Sequence, residues 1–221
     1  MIDLNNRDPF ASGGNRFCYL HPQDPQKCVK VMRPGRTRVL LNRAPWFKRW
    51  RGLDSFDDNL REQEGYSQRA IQQSREGLWQ HLPRWYGIQA TTLGPAAVTD
   101  MILDEAGTPA PTLRQYLNKN GLDAEIRAAL EKFADWLLEY EVLTKNLIAH
   151  NLVLRRENGH LQVYVIDGLG CASFLPLPQF SRFFARRYIH RRIQRMWLRV
   201  EWEVSDKKIP WRKFEARGLK G

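Results

Sequence analysis

The sequence predicts an α+β protein, with a small antiparallel sheet and one helix in residues 1–104 and a mostly helical remainder. Three observations carry this. Phe10–Val31 reads as three short strands parted by two turns, Ala11-Ser12-Gly13-Gly14-Asn15-Arg16 and His21-Pro22-Gln23-Asp24-Pro25. Asp123–Tyr140 is an amphipathic helix, capped by Asp123, with Ile126, Leu130, Phe133 and Leu137 at helical spacing. Leu152–Leu154 and Leu161–Ile166 are apolar runs joined by Asn158-Gly159, a strong two-residue hairpin signal.

At 221 residues, 43% apolar and 11% aromatic, the chain can bury one core or two small lobes sharing one. Its apolar runs fall far short of the roughly 18–20 residues a membrane-spanning helix needs. The start, MIDLNNRDPF, lacks the basic end and apolar run of a secretory signal, which reads as a cytoplasmic protein. Cys18, Cys28 and Cys171 form no C-x-x-C pair and read as reduced thiols. His21, His81, His150, His160 and His190 show no zinc spacing.

The net charge of +11 is uneven. Residues 33–52 hold Arg33, Arg36, Arg38, Arg43, Lys48, Arg49 and Arg51 with no acid. Residues 179–200 hold Arg182, Arg186, Arg187, Arg191, Arg192, Arg195 and Arg199, again with no acid. Local basicity of this kind suits a polyanionic partner.

Taken in order, Gly13 and Gly14 allow backbone amides to approach a nucleotide's phosphates, although paired glycines also make ordinary turns. Lys30 sits between Val29 and Val31 in an apolar strand, where a lysine needs a partner or an edge. Residues 33–53 form a basic insertion carrying Trp46, Phe47 and Trp50. Arg with Trp suits an anionic membrane surface, a glycolipid or single-stranded nucleic acid; a solvated loop whose aromatics pack inward is the alternative. Asp54–Ser74 reads as a helix with acids in its first turn, Leu60, Ser67 and Ile71 facing inward, and Glu64 on that stripe. Pro83–Ile88 and Ala97–Leu103 are strands around a Gly94-Pro95 turn. Thr112–Asn120 is a short helix with a Thr cap and Gly121 as stop. Gln179–Val204 is a basic amphipathic helix, either a core helix with a charged face or a surface for membrane or acidic substrate, and 205–221 is a loosely ordered basic tail.

The order of these pieces resembles protein-kinase-like folds, in which a loop of the type H-R-D-x-x-x-x-N precedes a hairpin ending in D-F-G. Within 144–170, TKNLIAHNLVLRRENGHLQVYVIDGLG, Asn151 falls on the loop Asn, Asn146 on the catalytic Asp, Lys145 on the Arg and Thr144 on the His. Asp167 falls on the metal-binding Asp, with Gly168-Leu169-Gly170 after it. Cys28-Val29-Lys30-Val31 looks like the V-A-I-K strand, and Ala11 stands at the first glycine of the kinase pattern. From about residue 10 to about residue 200 the chain is similar to the YrbL family of bacterial kinase-like proteins, named for a PhoP regulatory network. The C-Y-x-H-P turn of that family stands here as Cys18-Tyr19-Leu20-His21-Pro22.

The resemblance implies two lobes: an N-lobe over 1–104, a hinge at 105–111, and a shortened helical C-lobe over 112–204. It implies ATP and Mg²⁺ as cofactors, Lys30 on the phosphates, Glu64 pairing that lysine with Glu62 in reserve, and Asn151 and Asp167 on the metal. Asn146 can hydrogen-bond an acceptor hydroxyl but cannot take its proton as a carboxylate does. Two readings follow. One is a slow phosphotransferase acting at the inner-membrane face on an envelope glycolipid such as the lipopolysaccharide core; the other is a pseudokinase that regulates a partner. A nucleic-acid-binding protein on a kinase-like scaffold is the weaker alternative.

Overall fold

The computed structural model describes residues 1–50, 52–173 and 175–219; of the basic insertion, Arg51 lies outside the described residues. The chain divides into two compact units, Met1–Tyr66 with Arg84–Met101, and Ser67–Pro83 with Ile102–Gly221. Residues 67–83, assigned to the N-lobe from the sequence, group with the second unit.

The first unit is built on a five-stranded antiparallel sheet of β1 (Ala11–Ser12), β2 (Arg16–His21), β3 (Asp24–Met32), β4 (Trp85–Thr91) and β5 (Gly94–Asp100), in the order β1-β2-β3-β5-β4. The β4–β5 turn falls at Thr92-Leu93 rather than Gly94-Pro95, because both strands run on until Thr91 pairs Gly94. Alternation splits β3 between two faces. Val29 and Val31 join Tyr19, Ala96, Val98, Ile2 and Leu4 in a buried apolar cluster. Cys28 and Lys30 point the other way, where α3 (Asp58–Tyr66) packs on β3, β4 and β5.

The helix expected over 54–74 is three pieces: a 3₁₀ turn at Leu53–Phe56, α3, and the single turn α4 (Arg69–Gln72). Asn59 and Leu60 backbone amides bond to Asp57 Oδ1, so α3 starts four residues late. Its buried residues are Asn59, Glu62, Gly65 and Tyr66, while Leu60, Glu64 and Ser67 face solvent. The insertion is helical too, with α1 (Arg36–Arg43) and α2 (Trp46–Arg49).

The second unit holds α5 (Leu113–Asn120), α6 (Ala124–Tyr140), the hairpin β6 (Leu152–Glu157) and β7 (His160–Val165), α7 (Leu177–Phe180), α8 (Arg182–Val204) and α9 (Trp211–Gly218). Thr112 and Gln115 form a reciprocal capping box on α5, and Gly121 ends it. Asp123 Oδ1 accepts from Ile126 N at 2.8 Å to start α6, whose Ile126, Leu130, Phe133 and Leu137 are fully buried. Asn158 and Gly159 take φ of 50° and 80°, the left-handed pair that a two-residue hairpin requires. Residues 67–83 are bound into this unit: Gln68 bonds both backbone groups of Leu143, and Trp136 Nε1 donates to Gly77 O.

Two expectations for the C-terminal region change. Gln179–Val204 breaks at Ser181, whose extended backbone separates α7 from α8. The tail is not loose, since α9 packs on α8 through Trp211 against Trp202 and Arg195 against Glu215. Among the described residues no helix is long and apolar enough to cross a membrane.

Candidate functional site

In the first unit the central feature is a buried charge cluster. Strand alternation carries Arg16, Cys18, Cys28 and Lys30 onto the face under α3, with Cys18 directly opposite Lys30. Glu62 projects from α3 into them. Its Oε1 accepts from Lys30 Nζ at 2.6 Å, and its Oε2 takes a hydrogen bond from Arg16 Nη1. Arg16 also reaches Asn59 Oδ1 at 3.2 Å, and Asn59 Nδ2 donates to Pro95 O, which fixes the phase of α3 against the sheet. Glu62, held in reserve from the sequence, therefore pairs with Lys30, while Glu64 lies on the exposed side of α3. The inward face of α3 is polar because it answers two buried cations, so an apolar stripe through Leu60 pointed to the wrong carboxylate.

Thiol chemistry in this cluster is perturbed. A hydrogen bond from Cys28 and the cations of Lys30 and Arg16 bring the Cys18 thiol down to about 7, against the opposing effect of burial. The Cys28 thiol is pushed well up by that hydrogen bond and by burial. Gly13 and Gly14 lie exposed on the β1–β2 turn, which Gly13 N closes onto Arg16 O at 2.9 Å. A Cβ at Gly14 would meet nothing within 4 Å, so the turn leaves open space above its backbone.

In the second unit the loop 143–151 and the segment after β7 are laced together by backbone. Lys145 N donates to Gly168 O at 2.5 Å, Gly170 N to Leu143 O at 2.8 Å, and Ile166 N to Asn151 O at 2.9 Å. Asn151 and Asp167, 16 positions apart in sequence, are thus brought to the same end of the hairpin. Asn151 Nδ2 donates to Asn146 O at 3.3 Å, which turns its amide oxygen away from that contact. Asp167 Oδ1 accepts from Gly168 N at 2.6 Å. Gly168 has φ of 84°, and a Cβ there would meet Asn146 O at 3.1 Å and Asn151 Nδ2 at 3.3 Å. A side chain at this crossing would be strained, so it favours glycine. Asn146 itself is exposed and Lys145 half-buried.

One carboxylate and one amide oxygen suit a hard cation that takes its remaining ligands from water and phosphate, as Mg²⁺ does. Among the described residues no group of three His, Cys, Asp or Glu gathers, so a cage made only of protein ligands is not built here.

Sequence reasoning missed Tyr188 and the cluster at Glu203. The Tyr188 hydroxyl donates to Thr144 O at 2.9 Å and accepts from Ala172 N at 3.0 Å, tying both ends of the loop region to α8; burial raises its phenol above the ordinary value. Glu203 is buried and bonded by Arg114, Arg199 and Lys207. Arg114 N also donates to Ala149 O at 3.0 Å. The imidazole of neighbouring His150 is held below its ordinary value by burial and by Arg114 and Arg199. Only the partner counts of these side chains mark them, and those do not show in sequence.

Residues 2–201 match the family described as PhoP regulatory network protein YrbL. YrbL of Escherichia coli (strain K12) is 26% identical over 203 residues, covering 90% of this chain and 86% of that protein. YrbL of Shigella flexneri gives the same figures, 26% identity over 203 residues. Among solved structures, a point mutant of the PknI kinase domain from Mycobacterium tuberculosis superposes with a TM-score of 0.50 at 13% identity, covering 96% of this chain and 80% of that one. At that identity the likeness is one of fold, and the fold is protein-kinase-like. A match this long, together with the hairpin and the lysine strand in their kinase order, means that the chain belongs to the YrbL family.

Proposed function

We propose that the protein binds ATP with Mg²⁺ and is at most a slow phosphotransferase. The observation that supports this best is the buried Lys30–Glu62 ion pair at 2.6 Å, because a lysine so held presents its ammonium in a fixed direction for a phosphate. In this reading Lys30 contacts the phosphates, Gly13 and Gly14 leave room for them, and Asn151 and Asp167 hold the metal, which neutralises phosphate charge. Asn146 hydrogen-bonds an acceptor hydroxyl without removing its proton. The acceptor class that goes with the basic, aromatic insertion is a glycolipid hydroxyl.

The exposed amide of Asn146 also favours a second reading, a pseudokinase that uses nucleotide to regulate a partner. General-base catalysis is typically worth roughly 10²–10⁴-fold, so its loss slows transfer without abolishing binding. A thermal-shift titration with ATP and Mg²⁺ tests the common core of both readings. The midpoint of the wild type is expected to rise with ligand, and that of Asp167→Ala to stay flat. No rise at millimolar ATP would remove the nucleotide from both.

A further inference from the structure

We propose that residues 33–50 are an anchor for the surface of an anionic lipid bilayer. The geometry of α1 and α2 is that of a segment built to be covered. No residue of α1 is buried, although Val39, Leu40 and Leu41 lie along it. Trp46, Phe47 and Trp50 are 73%, 58% and 87% exposed. Folding normally draws aromatic groups of this size inward, and a contiguous apolar patch left in water marks an interaction site.

The charge around these rings identifies the partner. Arg33, Arg36, Arg38, Arg43, Lys48 and Arg49 are accompanied by no acid. Arg33 lies over the Phe17 ring and reaches Ser12, and Arg36 Nε donates to Asn15 Oδ1 at 2.8 Å. Arg49 donates to Ala44 O at 2.8 Å and Asn42 O at 2.6 Å, closing the corner between the two helices and holding the Trp46–Trp50 turn outward. All these partners are neutral, and residues 33–50 contain no acid to offset their charge. Basic side chains around Trp and Phe match the headgroup layer of an anionic membrane, where the rings sit at the boundary and the cations meet phosphate.

Single-stranded nucleic acid shares the charge but fits the rings less well. Phe47 stands edge-on to Trp46 at 90°, which gives no pair of parallel faces for successive bases, whereas a bilayer asks only for apolar bulk. The second basic segment differs in kind. Phe180 and Phe183 on α7 and α8 are exposed, but Arg182, Arg195 and Arg199 are each paired with a glutamate.

The test is sedimentation of the full chain with vesicles of phosphatidylcholine, with and without phosphatidylglycerol, in the absence of nucleotide, so its failure leaves the ATP reading standing. Binding is expected only to the phosphatidylglycerol vesicles and to weaken with added salt. Arg38→Ala should weaken it about fivefold, the worth of one surface cation. Trp46→Ala/Trp50→Ala should abolish the binding with an unchanged melting midpoint, since both rings are exposed. Equal binding to both vesicle types, full binding by the Trp variant, loss only in Phe180→Ala/Phe183→Ala, or tighter binding to a single-stranded oligonucleotide than to vesicles would each overturn the assignment.

Discussion

Lys30 and Glu62 meet at 2.6 Å with side chains 7% and 3% exposed, and Arg16 shares the same carboxylate. Removing Glu62 takes away the carboxylate that both buried cations share. Glu62→Ala is therefore expected to cost about 3–5 kcal/mol in urea unfolding. Glu64→Ala, on the exposed side of α3, should stay within about 1 kcal/mol of wild type. Equal losses in the two variants would mean that the cluster is not held by Glu62.

Asn146→Asp supplies a carboxylate where the loop has an amide. Its ATP-dependent midpoint shift should equal that of wild type, because the backbone oxygen that binds Asn151 is kept. ATP turnover, followed as released phosphate or ADP, should rise. Turnover undetectable in both forms would favour the pseudokinase.

Cys18 should be the fast thiol. With its thiol at about 7, its alkylation by iodoacetamide should rise through neutral pH and run well ahead of that of Cys28, which burial and its hydrogen bond to Cys18 keep protonated. Peptide mapping after a brief pulse reads the order. A Cys18 rate that climbs only near the ordinary thiol value would contradict the charge environment described.

His81 gives the fold a pH dependence whose sign is fixed. Its ring is buried beside Phe133 and Trp136, at 5.6 and 5.3 Å, and Nδ1 lies 2.7 Å from Val163 O. A carbonyl only accepts, so Nδ1 carries the hydrogen. Burial lowers the folded-state value below the ordinary 6.5. Between the two values the unfolded chain binds more protons, so this contribution is complete above 6.5 and is lost as pH falls through the folded value. Unfolding of wild type and His81→Phe at pH about 5 and about 7.5 should show a larger acid loss in wild type.

Gly168→Ala places a methyl against Asn146 O and Asn151 Nδ2 at a φ of 84°. The left-handed backbone alone costs roughly 1–2 kcal/mol, and the displaced Asn151 should weaken the ATP–Mg²⁺ midpoint shift further. A variant with wild-type stability and an unchanged shift would show that the loop crossing tolerates a side chain.

What could be read from the sequence was local. Thr112, Gly121, Asp123 and Asn158-Gly159 are caps and turns whose signals lie within four residues, and α5, α6 and the hairpin stand where those residues put them. Asn151 and Asp167 could be placed at one end of the hairpin because a tight hairpin leaves little freedom between its ends. The carboxylate for Lys30 was not legible in the same way. Its choice depends on Arg16, a residue from another strand, and on a helix face that buries Asn59 and Glu62 in place of leucines. The helices α1 and α9 also escaped notice. Gly35 gives α1 no side-chain cap, and α9 depends on Trp202 donating to Ile209 O at 2.8 Å and on ring contacts across to α8.

Asn15 links three parts of the first unit. Its side chain accepts from Arg36 at the start of α1 and donates to Asp58 at the start of α3, and its carbonyl takes the Arg33 amide. It also follows directly on Gly13-Gly14. A change at Asn15 therefore touches the basic insertion, α3 and the glycine turn at once.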